Sequence, residues 1–162
     1  MIKIIEGNLF DTTASIIAHQ VNCRGVMGSG VAKQVKKRYP EVYDQYCDLC
    51  YANYLPGILG IAQPCRTKDG KIIVNLFGQY DYGYDNAQYT NAASLSQALY
   101  GLKDFMFDKP DKRVAMPYKI GCGRGGARWE EEVFPMIKTI FSETVIDIEL
   151  WKLPKGVNDN EL

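Results

Sequence analysis

The amino-acid sequence predicts an α/β domain with a mixed, mostly parallel central sheet. Short apolar runs rich in β-branched residues alternate along the chain with longer stretches whose apolar residues recur at helical spacing. Asp69-Gly70 joins two of these runs directly, and this dipeptide is typical of a β-hairpin turn. The other runs are separated by helix-length segments, which favours parallel strands with helices packed on the sheet.

Length and charge narrow the class of protein. With 162 residues the chain is long enough for one domain with a sizeable core. Its 19 basic and 19 acidic residues balance, so no overall field attracts nucleic acid or an anionic membrane, and any anion site must be local. The N-terminus is not typical of a signal peptide, and no apolar run approaches the ~20 residues of a membrane span. We expect a cytoplasmic monomer whose five cysteines are free thiols.

The first half of the chain is expected to supply two strands and two helices. In chain order these are a strand at 2–6, a strand at 16–21, a helix at 31–39 and a helix at 41–53. The isoleucine-rich second run predicts a buried strand. The first helix ends at Tyr39-Pro40, because proline disfavours helical geometry in the residue before it. Apolar residues from Val42 to Cys50 recur at helical spacing in the second helix, and Pro56-Gly57 ends it.

The second half is expected to begin with the hairpin and to end on a strand. In order it contains strands at 58–65 and 71–77, a helix at 91–107, a strand at 113–117, a helix at 129–141 and a strand at 145–153. A polar, tyrosine-rich loop at 78–90 is either a lid over a ligand or a hydrophobic cover. Glu130 to Glu132 fall in the first turn of the last helix, where the helix dipole favours acidic side chains.

Two glycine-rich segments, each between a predicted strand and a predicted helix, indicate an anion site. They read Gly25-x-x-Gly28-x-Gly30 and Gly121-x-Gly123-x-Gly125-Gly126. Glycine allows close backbone approach, so such loops can surround oxygen atoms with N–H donors at a helix N-terminus. Neither segment fits the Walker pattern or the dinucleotide fingerprint. Two segments at strand ends predict a ligand with more than one phosphate, or with a phosphate and a sugar; the alternative is that they are only tight turns.

His19 and Asn22 are the candidate catalytic residues. His19 is the only histidine, and it lies three residues before Asn22 in the same run. Histidine titrates near neutrality and can act as an acid, a base or a nucleophile, but a lone histidine in an apolar run is more often a hydrogen-bonded core residue. In a regular strand the two side chains would point to opposite faces. Asn22 either donates to a ribose hydroxyl or caps the loop that follows.

Cys47-x-x-Cys50 is the one motif with the spacing of a metal-binding pair. It lies within the second predicted helix, with no second pair and no histidine nearby. A structural zinc site needs four ligands, so we expect two ordinary helix cysteines and neither a bound metal nor a cofactor.

Taken together, the ordered motifs resemble those of the macro domain family over residues 1–153. The matching motifs are Gly7-Asn8-Leu9-Phe10, His19-Gln20-Val21-Asn22-Cys23, Gly28-Ser29-Gly30-Val31-Ala32, Asn75-Leu76-Phe77-Gly78-Gln79, Ile120-Gly121-Cys122-Gly123 and Trp129-Glu130. The resemblance implies a three-layer α/β/α sandwich whose cleft binds ADP-ribose. Residues 154–162 would then be a polar tail outside the domain.

The resemblance also implies a place for each part of the ligand. Asn8, Leu9 and Trp151 would meet the adenine, and Asn8 stands where the family commonly has an aspartate, which is expected to weaken selectivity for adenine. Asn22 would face the distal ribose. The residues implied for the pyrophosphate are Gly28, Ser29, Gly30 and Val31 in the first segment and Gly121, Cys122, Gly123, Arg124 and Gly125 in the second. Arg124 either adds cationic stabilisation or is an ordinary surface charge.

Within the family the sequence is similar to two branches. In the ADP-ribose 1″-phosphate phosphatases, a histidine at the place of His19 is associated with catalysis. The terminal ADP-ribose glycohydrolases use a lysine and an aspartate, whose places are occupied here by Gln79 and Gly125. Glutamine cannot form the covalent sugar adduct that an amine forms, so the resemblance favours a phosphatase. His19 would activate a water or attack phosphorus, and Asn22 would orient the ribose.

Two alternatives remain open. One is a hydrolase that removes ADP-ribosyl or acetyl groups, since Gln79 argues only against its lysine-dependent version. The other is a non-catalytic reader of ADP-ribose, favoured by Gly125 and by Arg128, which stands where related sequences often have an acidic residue. The expected partner is a small ADP-ribose derivative or an ADP-ribosylated macromolecule, and not a membrane.

Overall fold

The computed structural model describes residues 1–52 and 57–157 and shows a six-stranded sheet between two layers of helices. The strands are β1 (Ile2–Glu6), β2 (Ile16–Val21), β3 (Ala62–Arg66), β4 (Ile72–Phe77), β5 (Arg113–Pro117) and β6 (Asp147–Lys152). The helices are α1 (Gly30–Arg38), α2 (Pro40–Ala52), α3 (Ala92–Phe105) and α4 (Phe134–Phe141). A 3₁₀ turn spans Leu9–Asp11, and a π-helical turn at Trp129–Val133 leads into α4.

The order of the strands brings the ends of β2 and β5 side by side. The sheet runs β1-β6-β5-β2-β4-β3, and each neighbouring pair is parallel except β3 and β4. The predicted mixed, mostly parallel sheet is therefore confirmed, together with the hairpin across Asp69-Gly70. Because β2 and β5 are parallel neighbours, the two glycine-rich segments that follow them leave the sheet at the same edge.

Each face of the sheet has its own hydrophobic core. Alternate residues of a strand point to opposite faces, and β2 shows this clearly. Ile16 and Ala18 belong to the cluster that contains residues of α3 and α4, whereas Ile17 and Val21 belong to the cluster that contains residues of α1 and α2. The three-layer α/β/α arrangement implied by the resemblance is confirmed. The helices cover both faces, so the carboxyl ends of the strands remain open to a ligand.

The first strand of the hairpin is shorter than predicted. A strand was expected at 58–65, but β3 begins only at Ala62. Residues 57–60 form a turn instead, in which Gly60 has a φ of +88° and donates its N–H to the Phe77 carbonyl. The buried Ile58 therefore packs from a turn and not from the sheet.

The strands β1, β2 and β5 have their predicted bounds, and the other described boundaries differ by at most two residues, apart from the starts of β3 and of the last helix. The helix expected at 91–107 is α3, which begins at Ala92 because the Asn91 side chain caps it by accepting from the Ser94 N–H. The strand expected at 145–153 is β6, which begins at Asp147 after a turn at 142–143. The first five residues of the last predicted helix form the π-helical turn.

Some predicted features lie outside the described residues. These are Asn53, the expected last residue of the second helix, Pro56, which was expected to stop it, and residues 158–162 of the polar tail. Within the described part of the chain, no helix combines the length and the apolar character needed to cross a bilayer.

Candidate functional site

The ends of β2 and β5 open into a cleft of about 570 Å³, a volume typical of small-molecule sites. Residues 28–32 line it from one side and residues 121–125 from the other. The predicted site residues that line this cleft are His19, Asn22, Gly28, Ser29, Gly30, Val31, Gln79, Gly121, Cys122, Gly123, Arg124 and Gly125. The fold thus brings together the two segments expected to hold an anion and the two residues expected to carry the chemistry.

The first glycine-rich segment presents the start of α1 to the cleft. Ser29 is the N-cap residue, but its side chain makes no capping hydrogen bond. The helical hydrogen bonds begin with the Lys33 N–H, which donates to the Ser29 carbonyl. Among the described residues, the N–H groups of residues 30–32 find no protein acceptor. An anion in the cleft would meet these donors together with the positive end of the helix dipole.

Asn22 holds the first segment in place from below. Its Nδ2 donates to the Val26 carbonyl at 2.8 Å, and its Oδ1 accepts from the Arg24 N–H at 2.9 Å and lies 2.8 Å from the buried Tyr46 hydroxyl. That hydroxyl also accepts from the Val26 N–H at 3.1 Å. Of the two roles left open for Asn22, the structure shows the loop-capping one. The second Nδ2 hydrogen has no acceptor among the described residues, so it can still reach a ligand.

The second glycine-rich segment is held by its carbonyl groups. The Gly121 carbonyl accepts from the Thr90 hydroxyl at 2.8 Å, and the Gly125 carbonyl accepts from the backbone N–H groups of Tyr89 and Thr90, both at 2.8 Å. These bonds turn the carbonyls inward. In the part of the chain that the structure describes, the N–H groups of residues 123–125 donate to no protein group. The cleft therefore has a second row of free N–H donors opposite the first.

Gly125 and Gln79 occupy the places that the resemblance assigns to the aspartate and the lysine of the glycohydrolases, and both are tightly packed. A Cβ atom on Gly125 would lie 2.5 Å from the Gly121 carbonyl oxygen and 3.1 Å from Gln20 Nε2, so an aspartate does not fit there in this loop. Gln79 is buried, its side-chain oxygen accepts from Gln20 Nε2 at 2.7 Å, and its Nε2 donates to the Asp81 carbonyl at 2.8 Å. Both positions thus serve the structure of the loops.

His19 lies beneath the cleft with 1% of its surface exposed. Its Nε2 is 2.8 Å from Asn75 Oδ1, and its Nδ1 has no partner among the described residues. Burial lowers the pKa of His19 to about 4 and the hydrogen bond to Asn75 acts against this, so the imidazole is neutral at pH 7. His19 and Asn22 do not point to opposite faces: β2 ends at Val21, and both side chains join hydrogen-bond networks that reach α2.

The tyrosine-rich loop lies at the rim of the cleft and contacts Arg24, which precedes the first segment, and Arg124 in the second. Arg24 pairs with Asp81 at 3.1 Å and lies 4.8 Å from the centroid of the Tyr80 ring. Arg124 lies 4.5 Å from the centroid of the Tyr84 ring, and this tyrosine lines the cleft while 68% of it is exposed. A side chain this exposed is not part of a hydrophobic core. The position agrees with a lid over a ligand.

A second recess of about 260 Å³ adjoins the cleft, and residues 117 and 118 line both. Asn8, Leu9 and Trp151 line this recess, so the three residues implied for the adenine do lie together. The Asn8 side-chain oxygen accepts from the Phe10 N–H, which caps the 3₁₀ turn and leaves the Nδ2 group for a ligand. The Trp151 indole N–H donates to Glu149 at 3.0 Å, which fixes the plane of the ring.

One charged residue that lines the cleft was not predicted from the sequence. Lys119 lines the cleft and has a φ of +59°, the only positive φ of a non-glycine residue among those described. Such backbone strain often marks a functional segment, but no local pattern reveals it in the sequence. Arg128 does not line the cleft; it pairs with Glu132 at 3.2 Å on the surface.

The cleft is electrostatically suited to an anion. Lys119 and Arg124 are its charged lining residues, and none of the described residues that line it is an aspartate or a glutamate. An anion would therefore gain N–H donors without repulsion from a carboxylate. Within the described residues no group of three or more His, Cys, Asp and Glu side chains is arranged to hold a metal ion, and Cys47 and Cys50 are free thiols.

Comparison with known proteins identifies relatives of this chain. The family model described as Macro domain matches residues 18–134. The DNA ADP-ribosyl glycohydrolase of Thermus aquaticus is 26% identical over 160 residues, which cover 93% of this chain but only 40% of that protein. The ADP-ribose 1″-phosphate phosphatase of Candida albicans is 27% identical over 143 residues, which cover 81% of this chain and 88% of that protein. The solved macrodomain of Mycobacterium tuberculosis DarG is 28% identical, with a TM-score of 0.80 and coverage of 93% of this chain and 97% of that one.

Proposed function

The chain belongs to the macro domain family, and on that basis we propose that it binds ADP-ribose derivatives and removes the phosphate from ADP-ribose 1″-phosphate. The named phosphatase relative from Candida albicans supports the reaction, and the arrangement of the cleft and the recess supports the ligand. The adenine would enter the recess beside Trp151. The diphosphate would lie between the two rows of free N–H groups, and the terminal ribose would reach Asn22 and His19.

The observation that carries this proposal is a cleft with two facing rows of N–H donors and no lining carboxylate among the described residues. A phosphate monoester adds two negative charges at the far end of the ligand. Donors that are fixed before the ligand arrives stabilise the charge on phosphate oxygens without reorganisation. The lysine and the aspartate that the resemblance implies for glycohydrolase chemistry are replaced here by Gln79 and Gly125.

In this proposal His19 acts on the attacking water. At neutral pH its imidazole is uncharged, and Nδ1 has a lone pair that no described residue uses. The water oxygen forms a bond to phosphorus while the bond from phosphorus to the ribose oxygen breaks. The proton of the water passes to Nδ1 and finally to the ribose oxygen, so the products are ADP-ribose and inorganic phosphate. The dianionic phosphate would stabilise the imidazolium that forms during the step.

Hydrolysis of ADP-ribose 1″-phosphate by wild type and by His19→Gln tests this proposal. Glutamine keeps a donor near the position of Nε2 but has no basic nitrogen in place of Nδ1. We expect kcat to fall about 10²–10⁴-fold, the usual contribution of a general base, with the affinity for ADP-ribose retained in calorimetry. Phosphate release that is unchanged in His19→Gln would contradict the role given to His19. Absence of turnover in the wild type, with tight ADP-ribose binding, would make the protein a reader.

A second candidate is removal of ADP-ribosyl groups, supported by the similarity to the Thermus aquaticus protein along 93% of this chain. Gln79 and Gly125 cannot supply the nucleophile and the acid of that chemistry. Lys119 is the lysine that lines the cleft, so this candidate predicts that Lys119→Met abolishes release of ADP-ribose from ADP-ribosylated DNA or protein. Release that persists in Lys119→Met would exclude Lys119 as the nucleophile of this reaction.

A further inference from the structure

A row of three polar side chains crosses the sheet beneath the cleft. His19 on β2, Asn75 on β4 and Gln63 on β3 are direct cross-strand neighbours. His19 Nε2 lies 2.8 Å from Asn75 Oδ1, and Asn75 Nδ2 lies 3.0 Å from Gln63 Oε1. The row ends where Gln63 Nε2 donates to the backbone carbonyl of Gln45 on α2 at 2.9 Å. It therefore links the imidazole to a fixed group of the helix layer.

The hydrogen bond from Gln63 to the Gln45 carbonyl determines which group donates and which accepts in every other bond of the row. A backbone carbonyl can only accept, so the NH₂ group of Gln63 must face Gln45 and its side-chain oxygen must face Asn75. The NH₂ group of Asn75 must then face Gln63, which leaves the Asn75 oxygen facing His19. An oxygen in that position requires the proton of the neutral imidazole on Nε2. The two amide orientations and the tautomer are therefore assigned together.

We propose that Asn75, oriented by Gln63, is a positioning residue that holds His19 as the Nε2–H tautomer and so makes Nδ1 the atom that accepts a proton from the ligand or from the attacking water. The tautomer follows from the hydrogen-bond row alone. The use of Nδ1 in the reaction rests on the proposed function. His19 would act first as an acceptor and not as a proton donor, since its proton on Nε2 is committed to Asn75.

The surroundings of the row support a neutral, fixed imidazole. His19 and Asn75 are buried, and His19 Nδ1 is buried without a partner among the described residues. Burial lowers the pKa of His19, the Asn75 hydrogen bond raises it, and no charged side chain of the described part contributes. The titratable group in contact with the row is the Cys65 thiol, which accepts from Asn75 Nδ2 at 3.6 Å. Burial raises the pKa of this thiol to about 12, so it remains neutral.

The single histidine makes the tautomer directly measurable. In a ¹⁵N-labelled sample the two ring nitrogens of His19 give the only histidine signals of the chain. We expect a proton on Nε2 and an unprotonated imine resonance from Nδ1 between pH 6 and pH 8. Addition of ADP-ribose should shift the Nδ1 resonance much more than the Nε2 resonance. The opposite tautomer in the wild type, or a Nδ1 resonance that ADP-ribose does not move, would overturn the proposal.

Three substitutions separate positioning from mere packing. Asn75→Leu removes the acceptor and should give a mixture of tautomers, with kcat reduced about tenfold or more and a smaller change in KM. Asn75→Asp keeps an acceptor at Nε2, so it should keep the wild-type tautomer and raise the pKa of His19. Gln63→Met removes the group that orients Asn75 without touching His19, and it should also give mixed tautomers. The Gln63→Met variant keeps the proposal testable if Asn75→Leu does not fold.

The matched control is Gln45→Met. This change alters the side chain of the residue whose carbonyl ends the row but leaves the carbonyl in place, so the tautomer should stay as in the wild type. If Gln63→Met and Asn75→Leu leave the tautomer unchanged, Asn75 does not position the imidazole and the proposal fails. Because the readout is the ring nitrogens, this failure is distinct from an absence of phosphatase activity. A fixed tautomer in a protein without turnover would refute the proposed function but not the positioning by Asn75.

Discussion

The two glycine-rich segments present N–H donors to the same cleft but are supported in different ways. Below the first, the Asn22 side chain and the Tyr46 hydroxyl tie the loop to α2, and the free donors belong to the first turn of α1. The second is held through the carbonyls of Gly121 and Gly125, which accept from Thr90 and Tyr89. Its free donors lie in the loop itself. The first row therefore gains a helix dipole, while the second depends on loop shape alone.

Because the two segments are supported differently, we expect them to differ in how well they tolerate substitutions. The first segment is stabilised by side chains beneath it, so its backbone has support from several directions. The second has glycines at positions where neighbours leave no space for a side chain. We expect substitutions in the second segment to have the largest effects, and substitutions in the supports to have smaller ones.

The largest effect is expected from Gly125→Ala. The new methyl group would meet the Gly121 carbonyl oxygen at 2.5 Å, so the loop must move, at a cost of about 3 kcal/mol of unfolding free energy. ADP-ribose binding should fall with it, because the second row of N–H groups loses its shape. Gly123→Ala is the matched control, since a Cβ there meets nothing within 4 Å. Equal loss of stability in both variants would show that the second segment is not shaped by this contact.

The next largest effect on stability is expected from Tyr46, whose hydroxyl supports the first segment. Tyr46→Phe removes a buried hydroxyl and leaves the Val26 N–H without its acceptor, which should cost about 2 kcal/mol in urea denaturation. Tyr100→Phe, at a partly exposed position on α3, should change stability little. If Tyr46→Phe is as mild as Tyr100→Phe, the first segment does not depend on α2 in the way described.

The free energy of unfolding should depend on pH through His19, which is buried on the face of the sheet that α2 covers. The unfolded chain protonates His19 near its ordinary pKa of 6.5, whereas the folded protein does so only near 4. Stability from this group is therefore complete above pH 6.5 and falls as the pH is lowered toward 4. Between pH 7.5 and 5.5 the free energy of unfolding should drop by about 1.4 kcal/mol. His19→Gln should abolish this contribution; the same slope in that variant would exclude His19 as its source.

A smaller effect on stability is expected from Thr90, whose hydroxyl supports the second segment. Thr90→Val removes the hydroxyl that donates to the Gly121 carbonyl and accepts from Gln20, at a cost of about 1 kcal/mol. Affinity for ADP-ribose should decrease while affinity for AMP, which lacks the distal ribose, should change less. Thr90→Ser keeps the hydroxyl and should retain most of both. Identical binding by Thr90→Val and wild type would mean that this hydroxyl does not shape the loop.

The sequence predicted the parts of the molecule that depend on neighbours along the chain. The isoleucine-rich run gave β2 its observed bounds, and the strand–glycine–helix pattern located both segments. It could not predict contacts between residues far apart. Asn75 meets His19 across 56 positions, and the Tyr46 hydroxyl reaches Asn22 across 24. Such pairs depend on strand order and helix packing, which no local pattern contains. The same reason explains why Lys119 was missed at the cleft.

Calorimetric titration with ADP-ribose tests most directly whether the two segments act on one ligand. The account predicts saturable binding at a single site, an increase in melting temperature, and an affinity at least tenfold higher than for AMP, equivalent to about 1.4 kcal/mol. Gly125→Ala should lose most of this difference and leave AMP binding largely intact. No heat and no thermal protection with ADP-ribose would contradict the account, and equal affinity for ADP-ribose and AMP would show that the second segment does not contact the ligand.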